Sequence, residues 1–314
     1  MALTQPNEGL VRAAQRGDES AFARLTRPYR HELHVHCYRL LGSPHDAEDA
    51  LQETMLRAWR QLPRFEERAT LRTWLYRIAT NACLRTLERR PPPLLPYPDD
   101  LPDASATDGD PHATVEERES VELAYVTLLR RLPPRQRAAL VLREALDCST
   151  AEIARLLDTS AAAVNSALQR ARATLDEHHG LPRHRPASDE AERRLVDEFM
   201  RVWADVDIAG LAALLTREAV LTMPPEDVRI DGADVIAGFF GSVPAEGRLD
   251  EIRLRPTRAN GQPALAAYLR DHDDGEHRAY GIMVLTIDGD RLAAITGFPG
   301  PEVFALFGLP MTLD

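Results

Sequence analysis

Between Ser149 and Leu175 the chain carries side chains suited to reading a nucleic acid. In the stretch Ser160–Leu175 the apolar residues Val164, Leu168, Ala171 and Leu175 recur at i, i+4, i+7 and i+11, which places them on one helical face. The remaining face holds Asn165, Ser166, Gln169, Arg170 and Arg172, whose groups bond base edges and phosphates. Ser160 occupies the position of a capping residue. A shorter preceding helix turns Ile153, Ala154, Leu156 and Leu157 inward. Two short helices in that order predict a helix-turn-helix whose second helix fits the DNA major groove.

Other residue types invite chemistry with different outcomes. Asp46, Glu48, Asp49 and Glu53 begin one helix, where the dipole stabilises acids. Exposed acids recurring at i+4 are also a face that pairs with arginines of a partner helix. His31, His34, His36 and Cys37 suggest zinc, but His36 points away from the face shared by His31 and His34, and no second ligand pair follows. They read as ordinary helix residues, and neither a metal nor any other cofactor is expected.

These groups need elements to hold them. Residues 8–90 read as helices, with Leu51, Met55, Ala58, Trp59 and Leu62 on one stripe and Leu71, Trp74, Leu75, Ile78 and Ala82 on the next. Arg72, Arg77 and Arg85 surround the second stripe, and a polar loop, Phe65–Thr70, separates the two. Residues 91–114, rich in Pro and Asp, read as an extended acidic linker unable to bury a core. Helices resume over 115–178, a second linker covers 179–188, and residues 189–314 form a third module. There, helices come first. Period-two alternation follows at Ile252–Pro256, Leu265–Leu269, Ile282–Thr286 and Leu292–Thr296, with turn signals at Asp274-Gly275 and Asp288-Gly289. That order predicts an α+β domain with an antiparallel sheet.

Charge supports this division. The chain's net −11 conceals +4 over residues 1–90, −8 over 91–122, +4 over 123–187 and −11 over 188–314. Binding nucleic acid requires a local positive field, not a positive total. Three scattered cysteines fit a reducing cytoplasm rather than a disulfide framework. The start lacks the pattern of a signal peptide, and no apolar run is long enough to span a membrane.

Four stretches together resemble a bacterial sigma factor of the extracytoplasmic-function group. They are Asp18-Glu-Ser-Ala-Phe-Ala-Arg-Leu25, the helix His45-Asp-Ala-Glu-Asp-Ala-Leu-Gln-Glu-Thr-Met-Leu-Arg-Ala-Trp-Arg60, the stretch Thr73-Trp-Leu-Tyr-Arg-Ile-Ala-Thr-Asn-Ala82, and Leu132-Pro-Pro-Arg135 continuing into the helix-turn-helix. Residues 8–90 resemble sigma region 2 and residues 115–178 sigma region 4. The resemblance implies core RNA polymerase as partner, through its beta-prime clamp and beta flap, together with promoter DNA. It assigns Asp46, Asp49, Gln52, Glu53 and Arg57 to the clamp. It assigns Glu66, Arg68 and Thr70, with Trp74, Arg77 and Asn81, to the minus-10 element, where the loop captures a flipped base. Trp74 lies on the apolar stripe, so core packing is its better reading. Ser160, Asn165, Ser166, Gln169, Arg170 and Arg172 fall to the minus-35 element. The family usually carries basic residues where this chain has Asn165 and Ala167. Their loss implies weak upstream affinity with a salt slope flatter by about two units, and Asn and Gln suit adenine edges.

The last third resembles the SnoaL-like branch of nuclear transport factor 2-like folds, through Gly232-Ala-Asp-Val-Ile-Ala-Gly-Phe-Phe240 and Phe304-Ala-Leu-Phe-Gly-Leu-Pro310. The implied architecture is two all-α sigma domains followed by an α+β cone with room for a small ligand. Fold relatives use a pocket Asp or His as base, and Asp231, His272, His277 and Tyr280 are candidates by type. The expectation is a non-catalytic regulatory domain, since a fold does not carry its relatives' chemistry. Its acidity suggests docking on the basic modules. The alternatives are a cyclase- or isomerase-type enzyme in the last domain, or a helix-turn-helix regulator that acts without polymerase.

Overall fold

In the computed structural model, residues 8–65, 70–99, 122–176 and 182–313 are described. They form two compact units. The first takes the described residues up to 92 and from 125 to 176, and the second takes 93–99, 122–124 and 182–313. Both helical modules therefore share one unit.

The helical unit comprises α1 (Glu8–Gln15), α2 (Glu19–Thr26), α3 (Arg30–Leu41), α4 (Pro44–Gln61), α5 (Leu71–Arg89), α6 (Leu123–Arg131, from Tyr125 on), α7 (Pro134–Leu146), α8 (Thr150–Leu156) and α9 (Ala161–Asp176). Gly42 adopts φ 73° and ends α3, after which the Ser43 hydroxyl accepts the Asp46 N–H at 3.3 Å and starts α4. The apolar stripes point inward as their spacing predicts. Ala47, Leu51, Met55 and Ala58 are buried on α4, and Leu71, Trp74, Leu75, Ile78 and Ala82 on α5.

Polar contacts fix how these helices meet. Arg72 forks onto Glu32 at 2.8–3.2 Å and ties α5 to α3. It thus serves the fold and is not part of a free basic face. His36, fully buried, bonds the Thr80 hydroxyl at 2.9 Å. Burial, with Arg39 and Arg72 adding to it, lowers its pKa to about 3, so the ring is neutral at pH 7. α7 is anchored on the end of α3. Arg137, 5% exposed, donates to the Leu40 carbonyl and to those of Arg130 (2.9 Å) and Leu132 (3.2 Å). Arg130 donates to the Leu41 and Pro92 carbonyls, each at 2.6 Å. Leu40 and Leu41 lie in the last turn of α3, where carbonyls lack intrahelical donors and the dipole favours cations.

The second unit contains α10 (Asp189–Ala204), α11 (Ile208–Leu214), α12 (Ala233–Phe240) and strands β1 (Arg185–Pro186), β2 (Leu215–Thr222), β3 (Arg229–Asp231), β4 (Ile252–Ala259), β5 (Gln262–Arg270), β6 (His277–Gly289), β7 (Arg291–Pro299) and β8 (Thr312–Leu313). The main sheet runs β3-β2-β7-β6-β5-β4, while β1 and β8 pair with β6. The four strands of period-two alternation form the expected antiparallel meander. β2 departs from that expectation and lies parallel to β7, because it returns to the sheet through α12 and the meander, not through a hairpin. Phe199, Trp203, Ile236 and Phe240 from the helices meet Leu221, Leu265, Leu285 and Ile295 on one sheet face. On the other face Phe304, from the turn Pro301–Phe307, sets its ring against Tyr268 at 5.0 Å.

The stretch read as an open linker is partly built into this unit. Its first residues are extended, yet Leu94 and Tyr97 are 6% and 7% exposed. The β4–β5 turn, Asn260-Gly261, has positive φ at both residues, the geometry a two-residue hairpin requires. That turn presents Asn260 to the linker. Its side-chain oxygen accepts the Tyr97 N–H at 2.9 Å, and its own N–H donates to the Tyr97 carbonyl at 2.7 Å. Asp99 accepts the Gly261 N–H at 2.8 Å and faces Arg258, which reaches on to Glu192 at 2.6 Å. The bond from His184 and the nearby Arg258 hold the Glu192 carboxyl below the ordinary range.

His36 makes the helical unit sensitive to acid. Its folded pKa of about 3 lies below the ordinary 6.5, so between these values only the unfolded chain takes up the proton. Its contribution is complete above pH 6.5 and is lost toward pH 3, at about 1.4 kcal/mol per pH unit at most. We expect the urea midpoint of the wild type to fall between pH 7 and pH 5 by more than that of His36→Gln, which cannot titrate. Equal falls would exclude this role.

Candidate nucleic-acid interface

The helix-turn-helix is built by local capping and one apolar seam. The Ser149 hydroxyl accepts the Glu152 N–H at 3.3 Å and the Glu152 carboxylate accepts the Ser149 N–H at 2.8 Å, a reciprocal cap that starts α8. Ser160 caps α9 by accepting the Ala163 N–H at 3.1 Å, so its hydroxyl already has a structural partner. Ile153, Ala154, Leu156 and Leu157 are buried with Val164, Leu168 and Ala171, while Leu175 is half-buried. Asn165, Ser166, Gln169, Arg170 and Arg172 are all exposed. The expected division of α9 into a seam and a free face therefore appears in the fold.

Beside that face runs an open groove of about 580 Å³ lined by Arg143, Asn165, Leu168, Gln169, Arg172 and Ala173. Arg143 comes from α7, and sequence reasoning does not find it. It donates to the Thr150 hydroxyl at 2.6 Å, and that hydroxyl donates to Asn165 Oδ1 at 3.3 Å. Only tertiary packing brings these three residues together.

On α4 the assigned residues divide. Asp46 bonds the Ser43 hydroxyl and so belongs to the helix cap. Asp49 and Gln52 are exposed, and Gln52 donates to Glu48 at 3.1 Å. Glu53, half-buried, pairs with Arg57 one turn on. Between them Leu56 is 54% exposed, an apolar side chain on a polar face. It falls beside the buried stripe, and its neighbour Met55 takes the inward position.

In the next segment, Glu66 and Arg68 lie outside the described residues. Thr70 caps α5, its hydroxyl accepting the Thr73 N–H at 3.1 Å. Trp74 is 8% exposed and packs on Phe65 at 4.9 Å between centroids, so it is a core residue and not part of an open face. Arg77 is exposed and Asn81 half-buried one turn later.

In the second unit the four residues considered as a pocket base do not converge. Asp231 pairs with Arg229 at 2.7 Å, His272 is exposed near Glu251 at 3.3 Å, and Tyr280 is exposed. His277 is buried, and that burial, with Arg253 and Arg270, lowers its pKa. A groove of about 460 Å³ beside β4, lined by residues including Met200, Trp203, Ile252 and Leu313, contains none of the four. No described helix is long and apolar enough to cross a membrane.

Residues 25–91 match Sigma-70 region 2, and residues 122–175 match Sigma-70 region 4. The chain is 40% identical over 323 residues to the ECF RNA polymerase sigma factor SigG of Mycobacterium tuberculosis, a match covering 95% of this chain and 86% of that protein. It is 38% identical over 170 residues to SigM of the same organism, covering 54% of this chain and 82% of SigM. Among solved structures, the extracytoplasmic function sigma factor SigJ of M. tuberculosis aligns over 91% of this chain and 98% of its own, with a TM-score of 0.63 at 26% identity. With nearly its whole length matched by SigG, the chain belongs to the extracytoplasmic-function RNA polymerase sigma factors.

Proposed function

We propose that this sigma factor brings core RNA polymerase to its promoters through three faces of the helical unit, and that its α+β unit modulates that activity without catalysis. The observation that carries the reading is the free face of α9. Its five polar side chains, Asn165, Ser166, Gln169, Arg170 and Arg172, have no part in the apolar seam or the caps, and they have the chemistry of base and phosphate recognition. Asp49, Gln52 and Leu56 on α4 form the clamp-binding face, with Leu56 as its apolar anchor. Arg77 and Asn81 on α5 serve the minus-10 element, together with Glu66, Arg68 and Thr70 of the preceding segment. The setting is the cytoplasm.

The α+β unit reads as a nuclear transport factor 2-like cone whose helix-facing side is filled by its own aromatic and aliphatic side chains. That filling, and the scatter of Asp231, His272, His277 and Tyr280, support a regulator over an enzyme. Its hold on residues 94–99 gives it purchase on the segment that joins the two DNA-reading modules.

Closure of the helical unit bears on activity. Two elements about 25 base pairs apart are separated by roughly 85 Å of B-DNA. α7 cannot stay seated on α3 while the modules reach both. The buried Arg137 and the half-buried Arg130 must therefore release the carbonyls of Leu40 and Leu41.

Run-off transcription with core polymerase tests the whole reading. Full-length protein should support initiation, and Asp49→Arg should weaken core binding about tenfold or more, by placing a cation where an acid meets a basic partner. Co-migration with core unchanged by Asp49→Arg would remove α4 from the interface. Deleting residues 188–314 should alter the activity at fixed core concentration, and identical activity across salt and promoter series would exclude modulation. Arg137→Met should speed amide exchange in α7 and lower the sigma concentration giving half-maximal run-off. Unchanged exchange would show that the guanidinium does not hold the closed form.

A further inference from the structure

We propose that Arg143 and Thr150 are positioning residues that turn the Asn165 amide into a pure hydrogen-bond donor, so that this position of α9 selects guanine and not adenine. The inference rests on the reading of α9 as the promoter-recognition helix and deepens it.

An asparagine amide has two chemically opposite ends. Free to rotate, it offers an acceptor oxygen and a donor nitrogen together, the pair that matches N6 and N7 of adenine. Here the choice is removed. The Arg143 guanidinium, permanently charged, donates to the Thr150 hydroxyl at 2.6 Å. The hydroxyl oxygen is therefore an acceptor toward Arg143, and its single hydrogen is left for Asn165. It goes to Oδ1 at 3.3 Å. The positive field of Arg143 favours the same orientation, since it attracts the amide oxygen and repels the NH2 hydrogens. What remains for DNA is Nδ2 with two hydrogens, on an exposed residue at the edge of the α9 groove.

Two donors with no adjacent acceptor discriminate among base edges. Guanine presents two acceptors, N7 and O6, in the major groove. Adenine sets its own N6 donor beside N7, and cytosine presents only a donor. Thymine offers one acceptor. Guanine thus satisfies the locked amide best, and adenine loses the advantage it holds for a free asparagine. Gln169, one turn further along the exposed face, has no such bond from Thr150, so the restriction belongs to position 165 alone.

The experiment uses the full-length protein with core RNA polymerase on a duplex promoter library randomised across the upstream element, reading base frequencies among bound templates. Asn165→Ala should erase the preference at one base pair and so identify the position. There the wild type should enrich guanine over adenine by about tenfold, the discrimination of one good base contact. Thr150→Val, similar in shape but without the hydroxyl, should shift that position toward adenine, while Thr150→Ser should keep guanine. Arg143→Gln should weaken the guanine preference at the same position. The Ser149–Glu152 cap does not use the Thr150 side chain, and circular dichroism checks that α8 and α9 persist. Guanine retained in Thr150→Val, or adenine preferred by the wild type, overturns the inference and leaves α9 as the recognition helix. A wild-type holoenzyme that initiates but selects no upstream base overturns both.

Discussion

The C-terminal end of α3 is the point on which the helical unit turns. A helix end exposes carbonyls without intrahelical donors, and buried carbonyls must find partners elsewhere. Here the partners are the guanidiniums of Arg130 and Arg137, which reach Leu41 and Leu40. Burial, and then its neighbour Arg130, lower the pKa of Arg137 to about 10, which leaves it charged at neutral pH. Such a contact costs more desolvation than an apolar one of equal area, while removing its donor leaves the carbonyls without partners. A seam built this way favours separability over strength. Where α7 goes, Arg143 and the helix-turn-helix follow.

The recognition helix illustrates a second constraint. Exposure of a polar side chain does not by itself fix what it reads, because amides and hydroxyls donate and accept. Placing one charged donor at the head of a short chain, from Arg143 through Thr150 to Asn165, orders every hydrogen behind it. Among the remaining exposed groups of α9, Arg170 and Arg172 suit phosphates. On α4 the corresponding feature is apolar: the exposed Leu56 stands among Asp49 and Gln52 and gives a polar face one apolar centre.

In the α+β unit the Asn260-Gly261 turn does two things with one geometry. Positive φ at both residues closes the β4–β5 hairpin, and it also turns the Asn260 side chain and N–H toward Tyr97. The ionic chain from Asp99 through Arg258 to Glu192 and His184 continues that attachment to the start of α10. A proline-rich segment has no backbone donors at several positions, so it binds through the few residues that retain them, Tyr97 and Asp99 among them.

By itself the sequence determined what local periodicity and capping dictate. The inward stripes of α4, α5 and α9, the Ser160 cap, the helix α12 and the four-strand meander all follow from interactions within a few residues. The free face of α9 was legible for the same reason, since knowing the buried side of a helix gives the other. Trp74 was legible as core for that reason too, against its assignment to DNA by family position. Only tertiary structure decided the parallel pairing of β2 with β7, the burial of Leu94 and Tyr97, the capping of α3 by Arg130 and Arg137, and the use of Arg72 against Glu32. It also decided that Arg143, 22 positions before Asn165, orients its amide. Those contacts join groups with no fixed sequence separation, and a charged side chain shows no preference for water, carboxylate or carbonyl until packing removes two of the three.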